Sequence, residues 1–257
     1  MPHSNATTRQ KPSRFPLNLL LGTLIAVSVC VMISARAQAQ ASATAESPDA
    51  DRAATLARVT ALRQAFIERI HAAGLTCPIA PPKIVMDDVP SFGNYDDETN
   101  VLRTSDWSKL TPEESGVFFQ LAGPGADATA AREMFEGAAH RWIFIHELGH
   151  WWQACTGAFK KSPPWEIEYD ADRIALAYWR EVDPALATKM MAIFQGVIDH
   201  SPNPVPPGQE IKKYFNEHYQ QLGPTPAYRW YQSRMVVTAI QETPTPTFAQ
   251  TLAVPKR

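Results

Sequence analysis

The chain has 257 residues, 24 Lys and Arg against 26 Asp and Glu, a formal net charge of −2 and 45% hydrophobic residues. That balance offers no basic face for a phosphate backbone, so no nucleic-acid partner is expected. The apolar content is enough for one domain with its own core.

At the N-terminus, Arg9, Lys11 and Arg14 precede an apolar stretch from Leu17 to Ile33, and residues 35–41 alternate Ala with Arg or Gln. A basic start, an apolar middle and small-x-small sites predict a secretory signal peptide over 1–39, hence a periplasmic or secreted mature protein with no stable membrane span. An uncleaved anchor is the alternative, since the stretch approaches the length that crosses a bilayer. Residues 40–50, rich in Ala and Ser, read as a flexible linker, and 51–257 as a single domain.

From Asp51 an amphipathic helix is expected, with Leu56, Val59, Leu62, Phe66, Ile67 and Ile70 on one side and Gly74 as its stop. Pro78, Pro81 and Pro82 break the chain before a strand candidate at 83–87. A second candidate covers 100–104, and the segment 90–98 between them reads as a turn-rich loop. Acidic residues at 87, 88, 96, 97 and 98 fit no calcium loop and read as a solvated face. Thr111-Pro112-Glu113-Glu114 is a capping box opening a short helix that Gly123 ends.

The next helix, expected from Thr129 to Cys155, carries His146-Glu147-Leu148-Gly149-His150 between Trp142-Ile143-Phe144-Ile145 and Trp151-Trp152. Residues four apart lie one above the other on a helix, so His146 and His150 can converge on one ion. Glu147, beside that face, can reach a water on the ion as general base without occupying a coordination position. The spacing predicts one Zn2+ per chain and a metal-dependent hydrolase. The rival reading is a non-catalytic zinc-containing envelope protein that binds a partner peptide or acts as an assembly factor, which would have no need of Glu147.

Two histidines and a water leave tetrahedral zinc one donor short. Ser162-Pro163-Pro164 starts a further helix with Ile167, Ala171, Ile174, Ala175 and Tyr178 as its apolar stripe. It offers two i, i+4 carboxylate pairs, Glu166 with Asp170 and Glu168 with Asp172. Glu168 is preferred as ligand because its pair adjoins the stripe, with Asp172 as acceptor for the far nitrogen of His146. Glu166 stays open as the alternative. Cys77 and Cys155, an even pair in an oxidising compartment, suggest a disulfide.

HELGH followed by Glu168-Tyr169-Asp170-Ala171-Asp172 resembles the gluzincin metallopeptidases, and locally the CAAX-type and heat-shock peptidases, over about positions 139–180. The several transmembrane helices of the integral-membrane members are missing. The resemblance implies peptide hydrolysis on a peptide or protein substrate. It also implies an α+β, mainly helical, zincin-like fold with a small sheet beside the HExxH helix. In such folds an edge strand receives the substrate, a role that falls to 100–104. Gluzincins also place a His or Tyr donor opposite the metal. Among the C-terminal aromatics, His218 is the first candidate for that catalytic role and Tyr219 the second. These lie on a helix expected over 210–222. A further helix opens at Thr225-Pro226 with Tyr228, Trp230, Tyr231, Met235 and Val236.

Overall fold

The computed structural model describes residues 48–253, apart from Asp88 and Pro224. The signal-peptide segment 1–39 and the tail 254–257 lie outside the described residues. Helix α1 runs Pro48–Ala72, so the helix absorbs the last three residues assigned to the linker. Proline suits a first helical turn, whose N–H groups have no intrahelical partner, and Asp49 and Asp51 favour that end electrostatically.

Three strands follow: β1 Lys83–Met86, β2 Gly93–Asp96 and β3 Val101–Thr104. The sheet order is β1-β3-β2, with β1 parallel and β2 antiparallel to β3. The strand at 101–104 is therefore central, which removes it as the edge that receives a peptide; the edges are β1 and β2. The supposed turn-rich loop supplies β2. Its Gly, Asn and Asp content suggests turns, but Gly93 and Tyr95 are buried while Asn94 is exposed, the alternation of a strand with one covered face.

The remaining helices are α2 Pro112–Ala122, α3 Ala128–Phe135, α4 Phe144–Thr156, α5 Pro164–Val182, α6 Pro184–His200, α7 Ile211–Leu222, α8 Pro226–Ile240 and α9 Phe248–Leu252. Among the described residues the fold is thus α+β, mainly helical, with a small three-stranded sheet. Thr111 and Glu114 form the capping box of α2. The helix expected over 129–155 is present but not uniform: a π-helical segment, Glu136–Ile143, joins α3 to α4. Such wide turns concentrate at functional sites, and this one leads directly into the HELGH run. Among the described residues no helix is long and apolar enough to cross a membrane.

Helix α4 is buried on almost every side. Trp142, Trp151 and Trp179 are within 2% of full burial, and the Trp151 and Trp152 indoles donate to the carbonyls of Ala80 and Leu252 at 3.1 and 2.9 Å. Truncating one such aromatic to Ala costs about 3–5 kcal/mol, a large part of the roughly 5–15 kcal/mol that holds a domain folded. The packing therefore fixes where α4 sits. Gly149 lets α5 come close, since a Cβ there would stand 3.1 Å from Ala171 Cα. Cys77 and Cys155 form a disulfide that ties the chain after α1 to the last turn of α4. A smaller apolar cluster, with Val205, Phe215, Leu222, Trp230, Tyr231 and Met235, is built by the C-terminal helices.

Candidate metal centre

His146, Glu147 and His150 on α4 bring their ligand atoms within 4.8 Å of one another, all three buried. Glu168 enters from α5: its Oε2 lies 3.2 Å from His146 Nε2 and 3.6 Å from His150 Nε2. The two imidazoles stand edge to face at 4.7 Å. For metal–ligand bonds of about 2.0–2.2 Å, the edge of a coordination tetrahedron is about 3.3–3.6 Å, so these separations suit a small tetrahedral ion. Glu166, the alternative ligand, pairs instead with Lys212 of α7.

The far nitrogen of each imidazole is tied down. His146 Nδ1–H donates to Asp172 Oδ1 at 2.9 Å and His150 Nδ1–H to Gln153 Oε1 at 2.9 Å. With Nδ1 engaged in this way, Nε2 is the ring nitrogen that each imidazole turns toward Glu168. Asp172 thus occupies the place expected of it.

Charge balance points the same way. Glu147, Glu168 and Asp172 are 7%, 3% and 2% exposed, and no Lys or Arg is buried among the described residues. Three buried carboxylates need positive charge nearby. Burial by itself would push both imidazoles down. Asp172, with Glu168 and Glu147, overcomes that and holds His146 well above the ordinary histidine range. Glu168 does the same for His150. Burial lifts the Asp172 carboxyl, and one of its oxygens, Oδ2, is buried with no hydrogen-bond partner. The two imidazoles outweigh burial at Glu168 and hold its carboxyl well below the usual value. The buried His-Glu-His group could hold a metal ion.

Comparison with known protein families, curated proteins and solved structures gives no match. The geometry must therefore speak for itself.

Around the donors, three further groups are fixed. Tyr95 N–H of β2 donates to Glu147 Oε2 at 2.7 Å. Tyr219 Oη–H donates to Glu168 Oε1 at 2.6 Å, and Gln232 Nε2–H to Glu168 Oε2 at 2.8 Å. Burial, followed by the charge of Glu168, raises the Tyr219 phenol far beyond its usual value. Tyr228 is likewise held well up by burial and by Glu168, Tyr219 and Glu147. Both phenols stay protonated at neutral pH and serve as donors. Phe159, in the turn after α4, sets its ring edge-on to His150 at 5.5 Å and to Tyr95 at 6.3 Å.

His218 is not brought to the cluster by any contact described. Its Nδ1–H donates to the Tyr214 carbonyl at 2.9 Å and its ring stacks on Tyr214 at 4.1 Å. One residue on, a rotation of about 100° around the helix, Tyr219 faces Glu168 instead. Sequence reasoning did not single out Gln153 or Gln232. Gln153, three residues beyond His150 on the same helix, was detectable by spacing; Gln232 had no local signal.

Proposed function

We propose that this chain is a zinc-dependent hydrolase of gluzincin type that cleaves peptide bonds in the cell envelope or outside the cell. The observation that carries the proposal is the paired anchoring of His146 and His150 through Nδ1, with both Nε2 atoms turned to Glu168 and Glu147 alongside. A donor set of two imidazoles and one carboxylate suits zinc in a hydrolytic site.

Zinc bound there would polarise a substrate carbonyl and lower the pKa of a water to about 7. The chain's own residues do the rest. His146, His150 and Glu168 would hold the ion, and Asp172, Gln153, Tyr219 and Gln232 keep those three oriented. Glu147, its Oε2 held by the Tyr95 amide, accepts a proton from the attacking water at its carboxylate and passes it to the leaving amine. For the donor to the oxyanion we put forward Tyr228 in place of His218: its phenol ring lies 6.4 Å from that of Tyr219, and Tyr219 in turn donates to Glu168.

The envelope setting draws on the basic and apolar N-terminal sequence and on the Cys77–Cys155 disulfide, which persists in oxidising compartments. The second reading, a zinc protein without turnover, is favoured by the depth of the site, where the two histidines are 7% and 6% exposed. Metal analysis of the mature protein, with peptide-library hydrolysis by wild type and Glu147→Gln, decides between them. One zinc per chain in both, with turnover only in wild type, supports the hydrolase. Zinc without turnover in either leaves the binding protein, and no zinc overturns both.

A further inference from the structure

Gln153 is 5% exposed and makes two hydrogen bonds at opposite ends of its amide. Its Nε2–H donates to the Ile167 carbonyl at 2.7 Å, and its Oε1 faces His150 Nδ1 at 2.9 Å. A backbone carbonyl can only accept, so the NH2 group must point toward Ile167. That leaves the amide oxygen toward His150. An amide oxygen also can only accept, so His150 must carry a proton on Nδ1, and Nε2 is the nitrogen left to bind an ion when the ring is neutral. The tautomer of His150 is thus set by a chain of polarity that begins at a main-chain carbonyl of α5. Ile167 immediately precedes Glu168, so the same link holds His150 in register with the third ligand.

His146 receives its orientation differently, from the Asp172 carboxylate. A carboxylate can take either role as it gains or loses a proton, whereas the Gln153 amide cannot change its polarity in any ordinary pH range.

We infer that Gln153 is the positioning residue that fixes the tautomer of His150 and ties it to the backbone beside Glu168. This rests on the metal-binding reading above. Three variants of the mature chain test it, with zinc ion as the probe and a chelator in competition. Gln153→Leu removes both bonds and is expected to weaken zinc by roughly 10- to 100-fold. Its His150 Nδ1–H, expected to exchange slowly in zinc-loaded wild type by nitrogen-15 NMR, should become fast in this variant. Gln153→Glu keeps an acceptor for Nδ1–H but turns a carboxylate oxygen on the Ile167 carbonyl. It should bind zinc far closer to wild type than Gln153→Leu does, with a lower Tm. If Gln153→Leu does not fold, Gln153→Met takes its place. A role confined to helix packing would lower Tm in every variant and leave zinc affinity unchanged. Wild-type zinc affinity in a folded Gln153→Leu or Gln153→Met protein overturns the inference while the metal reading stands. Absence of zinc binding in the unsubstituted protein overturns the metal reading, and this inference with it.

Discussion

The backbone N–H of Tyr95 donates to Glu147 Oε2 at 2.7 Å, joining an edge strand to the proposed base across 52 residues of sequence. The contact depends on Gly93, two residues earlier. A Cβ at Gly93 would stand 2.5 Å from Ile143 Cγ2 and 3.2 Å from Glu147 Cγ. Gly93→Ala should therefore push β2 off α4, with a stability cost of about 1–3 kcal/mol from overpacking. Glu147 is not a ligand in this reading, so zinc content should be kept while peptide turnover falls. Turnover per bound zinc is the measurement, and an unchanged value would break the link between β2 and the base.

Glu168 and Glu166 differ by half a helical turn, and their variants should differ sharply. Glu168→Ala removes the donor that sits 3.2 and 3.6 Å from the two Nε2 atoms and should abolish stoichiometric zinc. Glu166→Ala loses a pair with Lys212, whose side chain is 47% exposed. Partly solvated pairs contribute roughly 0–1 kcal/mol. Zinc should stay and stability should barely move. Metal analysis after gel filtration separates the two.

The disulfide closes a loop with a sequence separation of 78. Restricting the unfolded chain over that length contributes about 4 kcal/mol on the loop-entropy account. Cys77→Ser with Cys155→Ser should lower unfolding stability by that order in urea. The bond sits one turn beyond His150, so zinc affinity should fall as well if fraying of α4 reaches the site.

Acid sensitivity has an identifiable source away from the centre. Glu242 accepts from Tyr169 Oη at 2.6 Å and from Arg173 Nη2 at 2.9 Å. Burial works against its charge, but the bonds from Arg173 and Tyr169 hold its carboxyl below the usual 4.5. A folded pKa lower than the unfolded one means stability that is present above the unfolded value and lost as pH falls through the folded value. Glu242→Gln should thus be less stable than wild type at pH 7, and the gap should close below pH 4.5. Thermal melts at both pH values check it. A gap that stays constant would place the effect in packing rather than charge.

Much of this was legible from local spacing. His146 pairs with His150, and Glu168 with Asp172, because i, i+4 geometry is a property of any helix, and the Thr111–Glu114 capping box is equally local; that the two pairs meet depends on α5 packing against α4. What escaped was non-local. The order β1-β3-β2 depends on which segments find each other in three dimensions, so nothing in 101–104 marks it as the central strand. Gly93 reads as a turn residue until the side chains of Ile143 and Glu147 are seen to need its missing Cβ. Helix α6 was signalled by Asp183-Pro184, whose Asp caps Leu186, but its mixed 17 residues lacked the aromatic pattern that drew attention to α7 and α8. That Tyr219 and not His218 meets Glu168 follows from the rotation of α7, on which Phe215 is fully buried.

The carboxylate that completes the donor set is steadied by Tyr219 and Gln232, 51 and 64 residues downstream. A chain ending before residue 219 contains every element of the HExxH and Glu168 pattern and neither of the donors that hold Glu168 in place. Possession of the motif and competence of the site are therefore separate properties here. The second arrives only with the C-terminal helices, so a partly synthesised polypeptide carries the signature before it carries the residues that steady Glu168.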